Sequence, residues 1–461
     1  MGQGILPFVF EAAPQPMDLT AHAGLTLVAE TMLALGLDQV VSERLRLRER
    51  SRGYDEFDKL QAVVLVQAAG GDCVEDVRVL ARDAGLLRLV DRPLPSPDAL
   101  HDFLAAFHDD AEMARRPADG AWIPIENGAL QAVAAVNTEL VHRAVRLTEP
   151  VRATLDLDAT VIESHKRDAL PHYKGGRGYQ PVAVLWAEQD LVLADQYRDG
   201  NVPAGMHTLE VARRAVEALP SSVRARAFRG DSACYDEALL KYLVREGMAF
   251  TISADMTAEL RRACTQPLTP WTLLEDRVTE TVEVAEVEFT PGDWPKHAAP
   301  LRYVALRIRP KQEPLFGDST KYLAVVSNRW EVPLADLVHW HWEKAGTIEL
   351  THDITKNDLA AGAPPSGKFG ANAAWYRLTL ITYNVLTVLR HVALPERFHR
   401  ARPKRLRYEV FTVPAEIHSP ARQLTARLGV PPITVEELVA ARGRLRDLWT
   451  ALSRDDTSRN P

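Results

Sequence analysis

Thr154-Leu155-Asp156-Leu157-Asp158-Ala159-Thr160 reads as a short buried strand that carries two carboxylates toward its end. Its threonine and leucine positions suit a strand, and a side-chain period of two puts Asp156 and Asp158 on one face. A carboxylate at the mouth of a central strand is costly unless a cation meets it. Two of them together make a hard-oxygen site of the kind Mg²⁺ prefers. The surrounding chain must then supply a sheet to hold this strand, and further acids to complete the site.

Immediately downstream, GYQPVAVLWAEQDLVLADQYRDGN reads as a hairpin with a polar turn near Glu188–Asp190. HTLEVARRAVEAL is an amphipathic helix, and ARAFRGDSACYDEALLKYLVREGMAFTISAD alternates strand, turn, helix and strand. Residues 154–255 therefore read β-β-β-α-β-α-β, a ribonuclease-H-like order within an α/β fold. From Trp271 to Trp330 the pattern alternates with period two, predicting a β-rich insertion that carries Trp271, Trp294 and Trp330. These rings could meet DNA or form the core of a small β domain. Helix returns after Pro333, and ANAAWYRLTLITYNVLTVLRHVAL is a long apolar helix.

Upstream, residues 25–107 show short helices with tight Gly or Pro joints, suiting a helix-turn-helix-like DNA-binding region or any small helical bundle. The expected organisation is a helical N-terminal DNA-binding region over 1–148 and a first core part over 149–265. The β-rich insertion follows over 266–330, the second core part over 331–395, and a basic C-terminal tail over 396–461, ending in a disordered SRDDTSRNP.

At 46% hydrophobic and 25% charged residues the composition is that of an ordinary soluble protein. No run of about 20 apolar residues predicts a membrane span, and the N-terminus lacks a signal-peptide pattern. Cys73, Cys234 and Cys264 lie far apart, which suits a reducing cytoplasm and no zinc site. A net charge of −7 argues only mildly against nucleic acid, because placement matters more than the sum. Arg44, Arg46, Arg48, Arg50 and Arg52 alternate in one stretch. Arg402, Lys404, Arg405 and Arg407 crowd another, interleaved with Phe398, Tyr408 and Phe411. Either is a phosphate-contacting surface or a solvated one.

Two further acids stand out. Asp231 follows a strand beside Gly230, where α/β sheets place ligands, with an N-cap for the next helix as the alternative. Glu349 shares a helical stripe with His352, Asp353 and Lys356, a pattern that alone reads as a solvated face.

In this order, LDLDAT, YKGGRGYQPVAVLWAE, RGDSACYDEALLKYL and GTIELTHDITKNDLAAG, followed by ANAAWYRLTLITYN and RLRYEVF, resemble the DDE transposases of bacterial insertion sequences. The likeness is greatest to insertion sequence family 1380 and spans residues 23–428. It implies Asp158, Asp231 and Glu349 as catalytic metal ligands, with Asp156 the runner-up for the first. Of the related pattern of Tyr, Arg, Glu and Lys, Trp342 holds the Tyr place and Ala345 the Arg place, while Lys356 matches. Lys344 is the candidate stand-in for the Arg, and Lys344 and Lys356 would then contact DNA phosphate.

The resemblance implies two Mg²⁺ ions, with Mn²⁺ able to substitute, acting on double-stranded DNA at transposon ends and target. It further implies cut-and-paste transposition by a homodimer in a synaptic complex, in the bacterial cytoplasm at the nucleoid. Two alternatives stay open: a metal-dependent DNA nuclease on the same fold, and a catalytically silent DNA-binding derivative. His352 would serve as an electrostatic support or a bystander.

Overall fold

The computed structural model describes residues 18–47, 53–292, 294–312, 319–419, 423–429 and 433–459. The chain divides into two units: one holds Gln39–Leu47 and Leu104–Thr387, the other the remaining segments.

The first unit is built on the predicted strand. β1 (Arg152–Ala159) is flanked by β2 (Val182–Trp186), which pairs in turn with β3 (Leu191–Gln196), both pairings antiparallel. On its other side β1 pairs parallel with β4 (Ala225–Gly230), and β4 pairs parallel with β5 (Ala249–Ser253). All five residues of β2 are buried, as expected of a strand covered on both faces. The turn between β2 and β3 falls where the sequence placed it, with Asp190 in the left-handed region. The Glu188 carboxylate of that turn accepts the Thr154 backbone N–H and hydroxyl at 2.8 and 2.6 Å.

The β-rich segment forms β6 (Thr272–Asp276), β7 (Glu280–Val287), β8 (Arg302–Pro310) and β9 (Lys321–Ser327), an antiparallel meander. It does not stand as a separate β domain. β9 pairs antiparallel with β5, Val325 opposite Ser253, so the strand order runs β6-β7-β8-β9-β5-β4-β1-β2-β3 in one nine-stranded sheet. The edge of β5 would otherwise present unpaired backbone groups, and the meander covers it.

Helices cover the sheet. α1 (Gly128–Val145) is capped by Asn127 and packs on β3. α2 (Thr208–Glu217) and α3 (Glu237–Arg245, capped by Asp236) occupy the crossovers on either side of β4. α4 (Leu334–Trp342) sets Leu337 and Val338 against Val282, Val284, Val304, Leu306 and Val325 of the meander. α5 (Ile348–Asn357) lies against β1 and β2, and α6 (Phe369–Val388) is the long apolar helix. Among the described residues no single helix is long and apolar enough to cross a membrane.

The second unit interleaves both ends of the chain. Helices Thr26–Ala34, Glu56–Ala69 and Val435–Arg459 belong to it, and strand Leu19–Thr20 pairs with Ala415–His418. The boundaries expected at 1–148 and 396–461 therefore do not coincide with the units. The basic stretch folds with the N-terminal helices instead of trailing from them, and residues 453–459, expected to be disordered, are helical.

Candidate active site

Parallel pairing of β1 with β4 sets Leu157 opposite Gly230. Asp158, near the end of β1, and Asp231, the first residue beyond β4, therefore emerge side by side at one edge of the sheet. Gly230 permits the turn that follows: a Cβ there would lie 2.6 Å from the Cys234 side chain. Asp231 caps that turn, its Oδ1 accepting from the Ala233 N–H at 3.0 Å, while Asp236 caps α3. The N-cap and site readings of Asp231 are thus compatible.

α5 brings the third acid. His352 Nε2 lies 3.2 Å from the Asp158 carbonyl oxygen, fixing the helix against β1. One turn earlier, Glu349 Oε1 is 3.0 Å from Lys344 Nζ, which is also 3.5 Å from Asp158 Oδ2. Three carboxylates and one buried ammonium converge here. Burial pushes the Asp158 and Asp231 pKa values above the ordinary carboxylate range; Lys344 opposes this at Asp158, and the Asp158 charge adds to it at Asp231. Burial alone would depress Lys344, but the Asp158 and Glu349 charges outweigh it and hold the ammonium charged. His352 is enclosed, and burial holds its pKa down to about 4, so it is a neutral brace. The solvated-face reading of this stripe does not hold for His352, which is buried.

Asp156, the runner-up ligand, is corrected by the structure. It is fully buried, and both its oxygens are taken by Arg229, its register partner on β4, at 2.6 and 2.8 Å. The Thr347 hydroxyl also donates to it. Arg229 extends the network to the Trp340 carbonyl and to Glu343 Oε2, both at 2.7 Å, and lies over the Trp340 ring. The same-face reading of Asp156 and Asp158 was right, but the deeper one is an internal ion pair that anchors the turn carrying Lys344 into α5. Nothing in the sequence marked Arg229, Thr347 or Glu343 for that role.

Other predicted residues scatter. Lys356 is half-buried two turns beyond Glu349, its Nζ 3.4 Å from the Thr160 hydroxyl. Arg44 and Arg46 are exposed; Arg48, with Arg50 and Arg52, lies outside the described residues. In the second unit Lys404 and Arg405 are exposed and Arg402 half-buried, with Arg405 paired to Glu409 at 2.7 Å. Arg407 instead donates to the Ala68 and Gln67 carbonyls at 2.9 and 3.1 Å, closing the C-terminus of helix Glu56–Ala69. Trp294 is core, its Nε1–H bound to the Ala299 carbonyl; Trp271 packs under Arg307, and Trp330 is half-exposed.

The family model for the transposase DDE domain, group 1, matches residues 11–449. The chain belongs to that family. No curated protein matches it. Among solved structures it is similar to a cryo-EM structure of piggyBac transposase in a synaptic complex with hairpin DNA. The two share 11% identity over 83% of this chain and 80% of that one, with a TM-score of 0.48.

DDE transposases use divalent metal ions, and the donor set of this one fits that use. Three carboxylates offer only hard oxygens, and two are held where burial makes their charge costly without a cation. Among the described residues only Asp72, Cys73 and Asp76 bring three ligand atoms within 4.8 Å of one another. The oxygens of Asp158, Asp231 and Glu349 therefore spread wider than one small ion's shell, with Lys344 among them. Of the Tyr and Arg places, Trp342 packs with the meander core and Ala345 is exposed, so among the described residues Lys344 is the cation paired with Glu349.

Proposed function

We propose that this chain is an active transposase of the type found in insertion sequence family 1380, with a ribonuclease-H-like core. It binds the terminal inverted repeats of its own element, excises the element and joins its 3′ ends to a target. The observation that carries the reading is the convergence of Asp158 and Asp231 from adjacent parallel strands with Glu349 of α5. The order β3-β2-β1-β4-β5, with only β2 opposed to β1, β3, β4 and β5, supports the core assignment.

In each step an oxygen of water or of a 3′-hydroxyl attacks phosphorus, the phosphorus–oxygen bond opposite breaks, and the leaving oxygen takes up a proton. Asp158, Asp231 and Glu349 would hold two Mg²⁺ or Mn²⁺ ions, which lower the pKa of the attacking oxygen and stabilise the leaving one. His352 keeps Asp158 in place through its carbonyl, and the Asp156–Arg229 pair fixes the turn that delivers Lys344. Lys344, now paired with Asp158 and Glu349, would turn to DNA phosphate, and Lys356 would contact phosphate beside the cut. Arg44, Arg46 and Arg48, with Arg402, Lys404 and Arg405, would grip the ends in a homodimeric synaptic complex at the bacterial nucleoid.

The test is strand transfer: purified protein, DNA carrying the gene's own flanks, a target plasmid and Mg²⁺. Joined products at the element's 3′ ends are expected, and cutting without joining would favour the nuclease reading. One observation favours a silent DNA-binding protein, namely the ammonium already seated on Asp158 and Glu349. That reading predicts end binding which neither Mg²⁺ nor Mn²⁺ converts to cuts.

A further inference from the structure

Just beyond Asp158 the chain builds a small sheet that neither the three acids nor their supports use. Strand Arg177–Tyr179 lies between Ile162–Glu163 and Leu170–Pro171. Gly178 allows this packing, since a Cβ there would lie 2.0 Å from the Ile162 carbonyl oxygen. The hairpin closes tightly: the His172 N–H donates to the Gly176 carbonyl at 2.9 Å, and Gly175 sits at a φ of 92°. The buried His172 ring holds the tip, its Nδ1 accepting from the Lys174 N–H at 3.2 Å. The other ring nitrogen, Nε2, is buried with no hydrogen-bond partner among the described residues.

So closed, the backbone projects Tyr173 and Lys174. Tyr173 is 75% exposed, with Lys174 Nζ 5.6 Å from its ring centre. Lys166, Arg167 and Lys174 are exposed and have no carboxylate partner among the described residues, whereas Arg177 is spent on the Ala169 and Arg167 carbonyls. Lys174 stands close enough to Lys356 that, after burial, its charge is the next cause lowering the Lys356 pKa. Two ammonium groups kept near each other, Lys356 on the helix that carries Glu349 and Lys174 with an aromatic face alongside, suit a polyanion that also carries flat rings.

We propose that this hairpin is a DNA contact of the active site. Lys166, Arg167 and Lys174 take phosphates of the strand leading to the cut, and the Tyr173 ring stacks on a base unpaired at the cut end. The proposal rests on the transposase reading and gives a role to Tyr173 and Lys174, which open the YKGGRGYQPVAVLWAE motif, and to Lys166 and Arg167 before it.

Full-length protein, DNA bearing the gene's flanks and 2-aminopurine placed beside the cut supply the test. Lys174→Ala is expected to weaken end binding and to flatten the slope of log affinity against log salt by about 0.9. Tyr173→Ala should lose quenching of the analogue and about tenfold or more in affinity for the pre-cut end, while Tyr173→Phe keeps both. All these positions are exposed, so melting curves should not move. Wild-type slope in Lys174→Ala and in a Lys166→Ala/Arg167→Ala variant, with quenching kept in Tyr173→Ala, overturns the proposal while wild-type cutting leaves the transposase reading standing. Wild-type protein that binds no such DNA overturns both.

Discussion

Asp156 and Asp158 are chemically identical, two residues apart and on one face of one strand, yet they do opposite work. Asp156 sits level with Arg229 and is neutralised by it; Asp158 sits nearer the sheet edge, where Lys344 faces it together with Asp231 and Glu349. The sequence carries the shared face in its period-two pattern. It does not carry the division of labour, because Arg229 lies 73 residues away and meets Asp156 only through parallel pairing of β1 with β4. Stability measurements should separate the two. Asp156→Asn leaves the buried Arg229 guanidinium with only the exposed Glu343 carboxylate as a charge partner among the described residues, and chemical denaturation should show a loss of about 3 kcal/mol. Asp158→Asn and Asp231→Asn remove carboxylates whose charge burial disfavours, so the same measurement should find them neutral or stabilising at pH 7.

At the scale of elements, α4 and α5 hold the site to the sheet through enclosed histidines. His341 of α4 pairs with the Thr251 and Ser253 hydroxyls of β5, both at 3.0 Å, and burial holds its pKa down to about 4. The unfolded chain takes up this proton near pH 6.5, the folded one only near 4. The contribution of a neutral His341 is thus complete above pH 6.5 and is lost as pH falls toward 4, up to about 3 kcal/mol. Denaturation midpoints followed from pH 7 to pH 4 should decline less steeply in His341→Gln than in wild type. The α5 stripe of Glu349, His352 and Lys356 was legible at helical spacing. That His352 faces inward was not, because a stripe of charged residues looks the same whether water or a sheet edge receives it. The meander likewise read correctly as β, while its fusion to β5 depended on an edge that local pattern does not reveal.

For the whole molecule, the arginines divide by use. The crowding of Arg402–Arg407 marked one basic surface in the sequence, but Arg407 turns inward to the carbonyls of helix Glu56–Ala69, from a distant part of the chain. Arg407→Ala should therefore cost about 1–3 kcal/mol in a melt by removing the donor to the Ala68 carbonyl, while the Gln67 carbonyl keeps the Gly70 N–H. Arg44→Ala with Arg46→Ala should leave the melt unchanged and lower DNA affinity with a reduced salt slope. The joining of N- and C-terminal segments into one unit was invisible in composition, since the strand pair Leu19–Thr20 with Ala415–His418 closes a loop of nearly the whole chain.

The central claim is that Asp158, Asp231 and Glu349 act as one metal-dependent site. Its most direct test is cleavage of DNA carrying the gene's own flanks, in Mg²⁺ or Mn²⁺, by wild type beside Asp158→Asn, Asp231→Asn and Glu349→Gln, with binding measured in the same samples. Wild type should cut at the element's ends, and each variant should bind as well but cut at least about a thousandfold more slowly, equivalent to about 4 kcal/mol. Cleavage that survives the loss of any one of the three acids would contradict the account.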